Sequence, residues 1–319
     1  MRVTDLRPAL GTLLDRQYGV LSRKQLLAAG VGDMTICRHL RDGRWQRLAP
    51  AVYRVENTDG GTEHRRIAAA LFAGEDCQLT GLTALHWYGF RSAPSTDRIH
   101  VLIPHHTRCR STGFIVVQRT LALDPAARDA DVYRITSAPR AVVDACRLLT
   151  TLRDVRAIVA EAVQSGRASP AQLDAEIRRA ARSRTGLVRR ALTEVAEGVM
   201  SAPEAELRDL TLSSNVLPAV LWNPRLTTVD GRPVPTPDGF IEEAGLALEV
   251  DSVEYHADPD GWRRTLERDR TLTLLDVEVL HVLPSEIRAF PRKVLADIET
   301  AYRNRMASGV RARVVVSSA

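Results

Sequence analysis

Cysteine is scarce and scattered in this 319-residue sequence: Cys37, Cys77, Cys109 and Cys146 stand far apart, with no CxxC pair. That pattern argues against a zinc site and a disulfide framework, and fits a reducing cytoplasm. No apolar run approaches the roughly 20 residues that a membrane span requires. The opening MRVTDLRPALGTLLDRQYG is broken by charges before any signal-peptide core can grow. Lysine is nearly missing, with Lys24 and Lys293 the two examples, so arginine supplies almost all the positive charge. The first meaning of that bias is genome composition. It also suits phosphate contacts, because a guanidinium fork can hold two oxygens at once.

What is present is a soluble globular composition, 45% hydrophobic and 26% charged, with length for two or three domains. The net charge of +5 is unevenly spread. Residues 1–56 hold 10 Lys/Arg against 5 Asp/Glu, residues 57–199 hold 20 against 15, and residues 200–319 hold 14 against 19. A basic front end points to a polyanion partner, double-stranded DNA first of all.

The pattern predicts three short helices and a hairpin in residues 1–56. Leu10, Leu13 and Leu14 carry the apolar side of a first helix, and Ser22 caps a second, SRKQLLAAG, that stops at Gly30. GDMTICRHLRDG is a third helix, with Ile36 and Leu40 inward and Thr35, Arg38, His39 and Arg41 outward. WQRLAPAVYRV follows as two short strands. This order is that of a winged helix-turn-helix, whose last helix enters the major groove while flanking arginines hold phosphates. Thr35 and Arg38 are the base-reading candidates on that helix, Arg41 a further DNA-binding candidate, and Arg44, Arg47 and Arg54 the phosphate candidates beside it. A small helical cap with a solvated basic face is the alternative. The stretches YGVLSRKQLLAAGV and TICRHLRDGRWQRLAPAVYRV resemble the N-terminal domain of the AbiEi antitoxin family. The resemblance implies a DNA-binding head on an autoregulatory repressor, with a toxin protein as a possible partner.

Residues 57–199 read as an α+β middle region with a helical connector. QLTGLTALHWYGF is a helix ending at Gly89. RIHVLIP and FIVVQRT are strands separated by the turn HHTRCR, and TSAPRAVVDACRLL is a helix with Ser137 near its cap. TGLTALHWYGF and ITSAPRAVVDACRLL are similar to the second domain of AbiEi-like proteins. Adjacent His105 and His106 would diverge on a strand and suit a loop better than a metal site. Residues 151–199 are helical, with Ile158, Val159, Ala162 and Val163 as a core stripe, and Ser169-Pro170 opening a new helix after Gly166.

From Ser201 the order becomes α-β-β-β-α-β-α over residues 200–319, predicting a restriction-endonuclease-like core. The fold class is thus α/β multidomain: winged helix, α+β middle, and an αβββαβ C-terminal domain. In ALEVDSVEYH, Leu246, Leu248 and Val250 share one face of a strand while Ala247, Glu249 and Asp251 share the other, with alternate residues roughly 6–7 Å apart. PDGFIEEAGLALEVDSVEYH resembles the PD-(D/E)xK nuclease signature, and more closely a family related to the very-short-patch-repair endonucleases. Ser201, Glu204, Pro237, Asp238, Glu249, Asp251 and His256 fall on that pattern, with WRRTLERDR downstream.

Phosphodiester hydrolysis needs an activated water and stabilised charge, which one or two Mg²⁺ (or Mn²⁺) ions supply through two or three carboxylates. Asp238, Glu249 and Asp251 are the metal candidates, and without a cation they would raise one another's pKa. His256 is the candidate general base or acid. Glu204 is a candidate site residue, but with Ser201 it also makes a capping box. Asp238 could equally make a turn after Pro237, and Glu249 and Asp251 could face solvent. The copy departs from the signature at Asp251, where lysine is usual, and at Ser252, Gly239 and His281. Two functions follow from the sequence: a metal-dependent DNA endonuclease aimed by its winged helix, or a non-catalytic antitoxin-type repressor with a degenerate nuclease domain serving homodimerisation or partner binding.

Overall fold

The computed structural model describes residues 7–55, 61–180, 184–251 and 259–317. Ser252, His256 and Asp258 lie outside the described residues. The chain divides into two compact units, one of residues 1–154 with 165–187 and one of residues 155–164 with 188–319.

The first unit opens with α1 (Arg7–Arg16), β1 (Val20–Ser22), α2 (Arg23–Ala28), α3 (Asp33–Arg41), β2 (Gln46–Ala49) and β3 (Val52–Arg54). Leu10 and Leu14 of α1 pack with Leu21, Leu26, Ile36, Trp45 and Tyr53 in one apolar cluster. Ser22 caps α2 reciprocally with Gln25: its Oγ accepts from Gln25 N at 3.2 Å, and its own N–H donates to Gln25 Oε1 at 2.8 Å. The three strands form an antiparallel sheet in the order β1-β3-β2. The pairing of β1 was not expected from the sequence, since three residues are too few to show a period of two.

Next come α4 (Gly61–Ala73), β4 (Gln78–Leu79), α5 (Gly81–Trp87), β5 (Ile99–Pro104), β6 (Ile115–Thr120), β7 (Arg128–Asp129), β8 (Arg134–Ile135) and α6 (Ala138–Cys146). Their sheet runs β6-β5-β4-β8-β7. β5 and β6 are parallel, Ile99 beside Ile115 through Pro104 beside Thr120. HHTRCR is therefore part of a connection that brings the chain back to the start of its neighbour, not a tight turn between antiparallel strands. α7 (Leu152–Gln164) begins in the first unit and continues in the second, burying Val155, Ile158, Val159 and Ala162. α8 (Pro170–Arg179) starts from the Ser169 cap and belongs to the first unit.

In the second unit α9 (Gly186–Ala196) leads into α10 (Ala202–Thr211), β9 (Leu221–Trp222), β10 (Leu226–Thr228), β11 (Pro233–Val234), β12 (Gly239–Ile241) and β13 (Leu246–Val250). α11 (Pro259–Leu274), β14 (Glu278–Val282), α12 (Pro284–Ala289), α13 (Pro291–Ser308) and β15 (Val314–Val316) complete it. The larger sheet is ordered β14-β13-β12-β9, with β13 and β14 parallel and the other pairs antiparallel. A parallel pair needs a crossover, and α11 is in the connection that makes it. A second sheet, β11-β10-β15, pairs Leu226–Thr228 with Val314–Val316.

Both faces of β13 are covered. Leu246 and Leu248 pack with Ile241, Val282 and Ile298, whereas Ala247 packs with Phe240, Leu272 and Val277. The strand period of two therefore places Glu249 on the side of α11, which supplies Leu272. Glu249 is buried as a result, 5% exposed, and does not face solvent.

Candidate nucleic-acid interface and a buried acidic cluster

The first three helices present a basic surface whose backbone is fixed by local bonds. Arg23 at the start of α2 grips Asp33 at the start of α3, Nε to Oδ1 at 2.8 Å and Nη2 to Oδ2 at 2.5 Å. Asp33 also lies in the first turn of α3, where a carboxylate suits the helix dipole. Met34, Arg38 and Arg41 recur at helical spacing on one face of α3 and are exposed. Thr35 is half-buried. Arg44 and Arg47 are exposed beyond the helix, and Arg54 is half-buried on β3.

His39 does not face outward as its sequence position suggested. It is three residues from Ile36, hence on the core face, and is 1% exposed. Its ring stacks on Trp45 at 4.6 Å between centroids. Burial, followed by nearby positive charge that includes Arg38 and Arg44, lowers its pKa below the ordinary histidine range. The neutral ring is therefore a packing element beneath the arginines.

In the second unit, carboxylates gather near the carboxyl end of β13, and each has a protein partner. Glu249 receives the Arg268 guanidinium, Nη2 lying 2.6 Å from Oε1 and 2.5 Å from Oε2. The same Nη2 donates to the Thr236 carbonyl at 2.8 Å. Asp238 Oδ2 accepts from the Val250 N–H at 2.7 Å. Asp251 Oδ2 faces His281 Nδ1 at 2.8 Å, and His281 Nε2 faces Asp269 Oδ2 at 3.1 Å. Arg268 and Asp269 come from α11, and His281 from β14.

This arrangement tests the Mg²⁺ expectation. Mg²⁺ requires near-octahedral oxygen ligands at short range. Both oxygens of Glu249 are engaged by a cation of the protein itself, and Asp251 is held by His281. Among the described residues no group of three His, Cys, Asp or Glu side chains is placed to hold a metal ion. As arranged, the donor set does not fit Mg²⁺. Arg268 supplies the positive charge that the acidic face of β13 demanded.

Glu204 also departs from the expected capping box. Ser201 Oγ accepts from the Glu204 N–H at 3.2 Å, but the return bond is not to Ser201. The carboxylate instead accepts from the Met200 N–H at 2.8 Å and Asn223 Nδ2 at 2.7 Å, tying α10 to the residue after β9. Glu204 is thus buried structural polarity in this arrangement, while His256 lies outside the described residues.

Residues 9–55 match the AbiEi antitoxin family of transcriptional regulators. The match spans α1 through β3, the elements that display Thr35, Arg38, Arg41, Arg44, Arg47 and Arg54. No curated protein matches this chain. Among solved structures, the RV2827C protein from Mycobacterium tuberculosis is similar at 15% identity and a TM-score of 0.40, over 59% of this chain and 76% of that one. A TM-score this low carries no argument about topology or function. No helix among the described residues is long and apolar enough to cross a membrane.

Outside the AbiEi-like region, Arg268 was not singled out in the sequence, although a signal exists. It lies one turn before Leu272, which is fully buried against the sheet, so the same stripe of α11 must reach β13. The pairing has a consequence for pH dependence. Burial raises the Glu249 carboxyl to about 8; Arg268 opposes this but is a third exposed and screened, so burial prevails. Burial also raises Glu204 and Asp238. A carboxyl raised in the folded state keeps its proton where the unfolded chain has lost it. Its destabilising effect is absent below the unfolded value, about 4, and grows as pH rises towards the folded value. Urea unfolding of the second unit, followed over this range, should show stability falling as pH increases towards 8. Glu249→Gln should flatten that fall; a mutant profile parallel to the parent's would refute the assignment.

Proposed function

We propose that the protein is a DNA-binding transcriptional regulator of the antitoxin type. Its N-terminal region acts as a winged helix-turn-helix in which α3 reads double-stranded DNA and the β2–β3 hairpin is the wing. The supporting observation is the exposed arginine set on and just after α3 (Arg38, Arg41, Arg44 and Arg47) within the segment matching a regulator family. Arg38, with Thr35 beside it, faces base edges. Arg41, Arg44, Arg47 and Arg54 face phosphates. A toxin protein and a second copy of the chain are the further partners this reading implies, the latter through a palindromic operator.

The test is operator binding by fluorescence anisotropy over a salt series, on a site selected from random duplexes. Arg38→Ala should cost about 1–3 kcal/mol and relax sequence preference at one position. Arg44→Ala and Arg47→Ala should weaken all duplexes alike and each reduce the salt slope by about 1. Unchanged affinity in all three variants would remove α3 and the hairpin from the interface.

DNA hydrolysis by the second unit is a second reading, favoured by the electrostatic proximity of Asp238 to both Glu249 and Asp251. In the arrangement present, Arg268 occupies both Glu249 oxygens that a divalent ion would need. Plasmid nicking with Mn²⁺ separates the readings. Cleavage abolished by Asp238→Ala and by Glu249→Ala would establish the hydrolase, whereas cleavage surviving both would mark a contaminant.

A further inference from the structure

A cavity of about 860 Å³ opens in the first unit beside the end of β6, against α6 and α8. This volume is in the range of small-molecule sites and is lined by residues from four separate parts of the unit's sequence. Four arginines, Arg119, Arg140, Arg147 and Arg179, contribute to its wall. Asp124 and Glu176 share that wall, and Asp144 stands behind it. Asp144 is 1% exposed and accepts from Arg140 Nε at 2.9 Å through Oδ2, which also accepts from Thr80 Oγ1 at 2.8 Å. Glu176, 9% exposed, accepts from Arg179 Nη1 at 2.8 Å, while Arg179 itself is 63% exposed. Asp124 spends both oxygens on the loop, accepting from the N–H groups of Ala126 at 2.9 Å and Ser137 at 2.7 Å. Arg119 Nη2 is anchored on the Cys109 carbonyl at 2.5 Å.

Asp144 and Glu176 thus hold Arg140, Arg147 and Arg179, and four arginines against Asp124 and Glu176 leave the lining positive. Leu102 and Leu123 add an apolar portion, and Gln118 a polar one. The Gln118 Nε2 atom is buried on the Gly81 side, 3.7 Å from where a Gly81 Cβ would stand, and does not reach the cavity.

We propose that this cavity binds a nucleoside phosphate. The phosphate engages the arginines through paired N–H donors, the geometry in which guanidinium exceeds any other side chain. The base lies on the apolar portion. The concavity suits a small molecule, whereas the exposed arginines of α3 and the hairpin suit a duplex. The two sites share no residue.

The experiment is isothermal titration of the full chain with AMP, ATP, adenosine and inorganic phosphate. AMP or ATP should saturate, with adenosine and inorganic phosphate each weaker by about tenfold or more. Arg119→Gln with Arg179→Gln changes two exposed side chains, and circular dichroism checks that the fold is kept. That double variant should weaken the nucleotide by about a hundredfold or more, about tenfold for each lost charged contact, while Arg38→Ala leaves it unchanged. Three results would overturn the proposal: no saturation by either nucleotide up to about 5 mM, a range covering weak millimolar sites; unchanged affinity in the folded double variant; or loss of binding in Arg38→Ala, which would move the nucleotide to the DNA surface. Inorganic phosphate binding as tightly as AMP would overturn the role given to the base.

Discussion

Arg156→Ala should destabilise the second unit by about 3–5 kcal/mol, because it strips a buried carboxylate of its main cation. Arg156 is 6% exposed on α7 and binds Glu194 of α9 through two bonds, Nε to Oε2 at 2.7 Å and Nη2 to Oε1 at 2.6 Å. Its Nη2 also reaches Asp209 of α10 at 2.5 Å, so one guanidinium joins three helices. Glu194 side-chain exposure is 4%, which leaves little water to replace the lost partner. Arg190 donates to Glu194 at 3.0 Å and to Asp209 at 2.7 Å, but it is half exposed and more screened. Its presence puts the expected cost towards the low end of the range. Chemical denaturation with tryptophan emission as the probe measures the change. The paired replacement Arg156→Met with Glu194→Leu should recover most of the loss, since well-packed apolar residues often match a buried ion pair. A single-variant cost below about 1 kcal/mol, the value typical of exposed pairs, would show that Glu194 is solvated.

Gly198→Ala should cost a comparable amount by a different route. Gly198 has φ +97°, a region that L side chains rarely adopt. An added Cβ would stand 2.4 Å from the Trp222 carbonyl oxygen and 3.3 Å from its carbon. Those atoms belong to β9 and cannot rotate away. The neighbouring bonds would move too, for Asn223 Nδ2 donates to the Gly198 carbonyl at 3.1 Å as well as to Glu204. Backbone strain of about 1–3 kcal/mol adds to the overpacking cost, itself about 1–3 kcal/mol. A fall in the unfolding midpoint with an unchanged m-value is the expected reading in urea. Parental stability in the alanine variant would mean that β9 and the 198 turn separate freely.

Much of the helical order was legible in the sequence, because caps and apolar spacing are local. The Ser22 and Ser169 caps, the Gly166 stop and the alternation through Leu246–Val250 each depend on a few adjacent residues. The inward turn of His39 was also local, yet a polar, titratable residue beside Arg38 reads as surface until Trp45 is known to cover it. The short strands β1 and β15 were not legible, since their pairing partners lie at Val52–Arg54 and Leu226–Thr228. The acidic face of β13 was legible as a problem in charge, but not its solution. The sequence offered a divalent ion, and the fold presents Arg268, nineteen positions after Glu249. Which cation meets a carboxylate is decided by how a helix lies on a sheet, and residue type alone does not carry that information.

The second unit is assembled from two separated stretches of chain, with residues 165–187 folding into the first unit between them. No single cut can therefore release it intact. A fragment starting at residue 200 would contain Asp209 but neither Arg156 nor Glu194, and one starting at residue 188 would carry Glu194 into solution without the helix that shields it. Any attempt to express the acidic cluster alone should carry residues 155–164 together with residues 188–319.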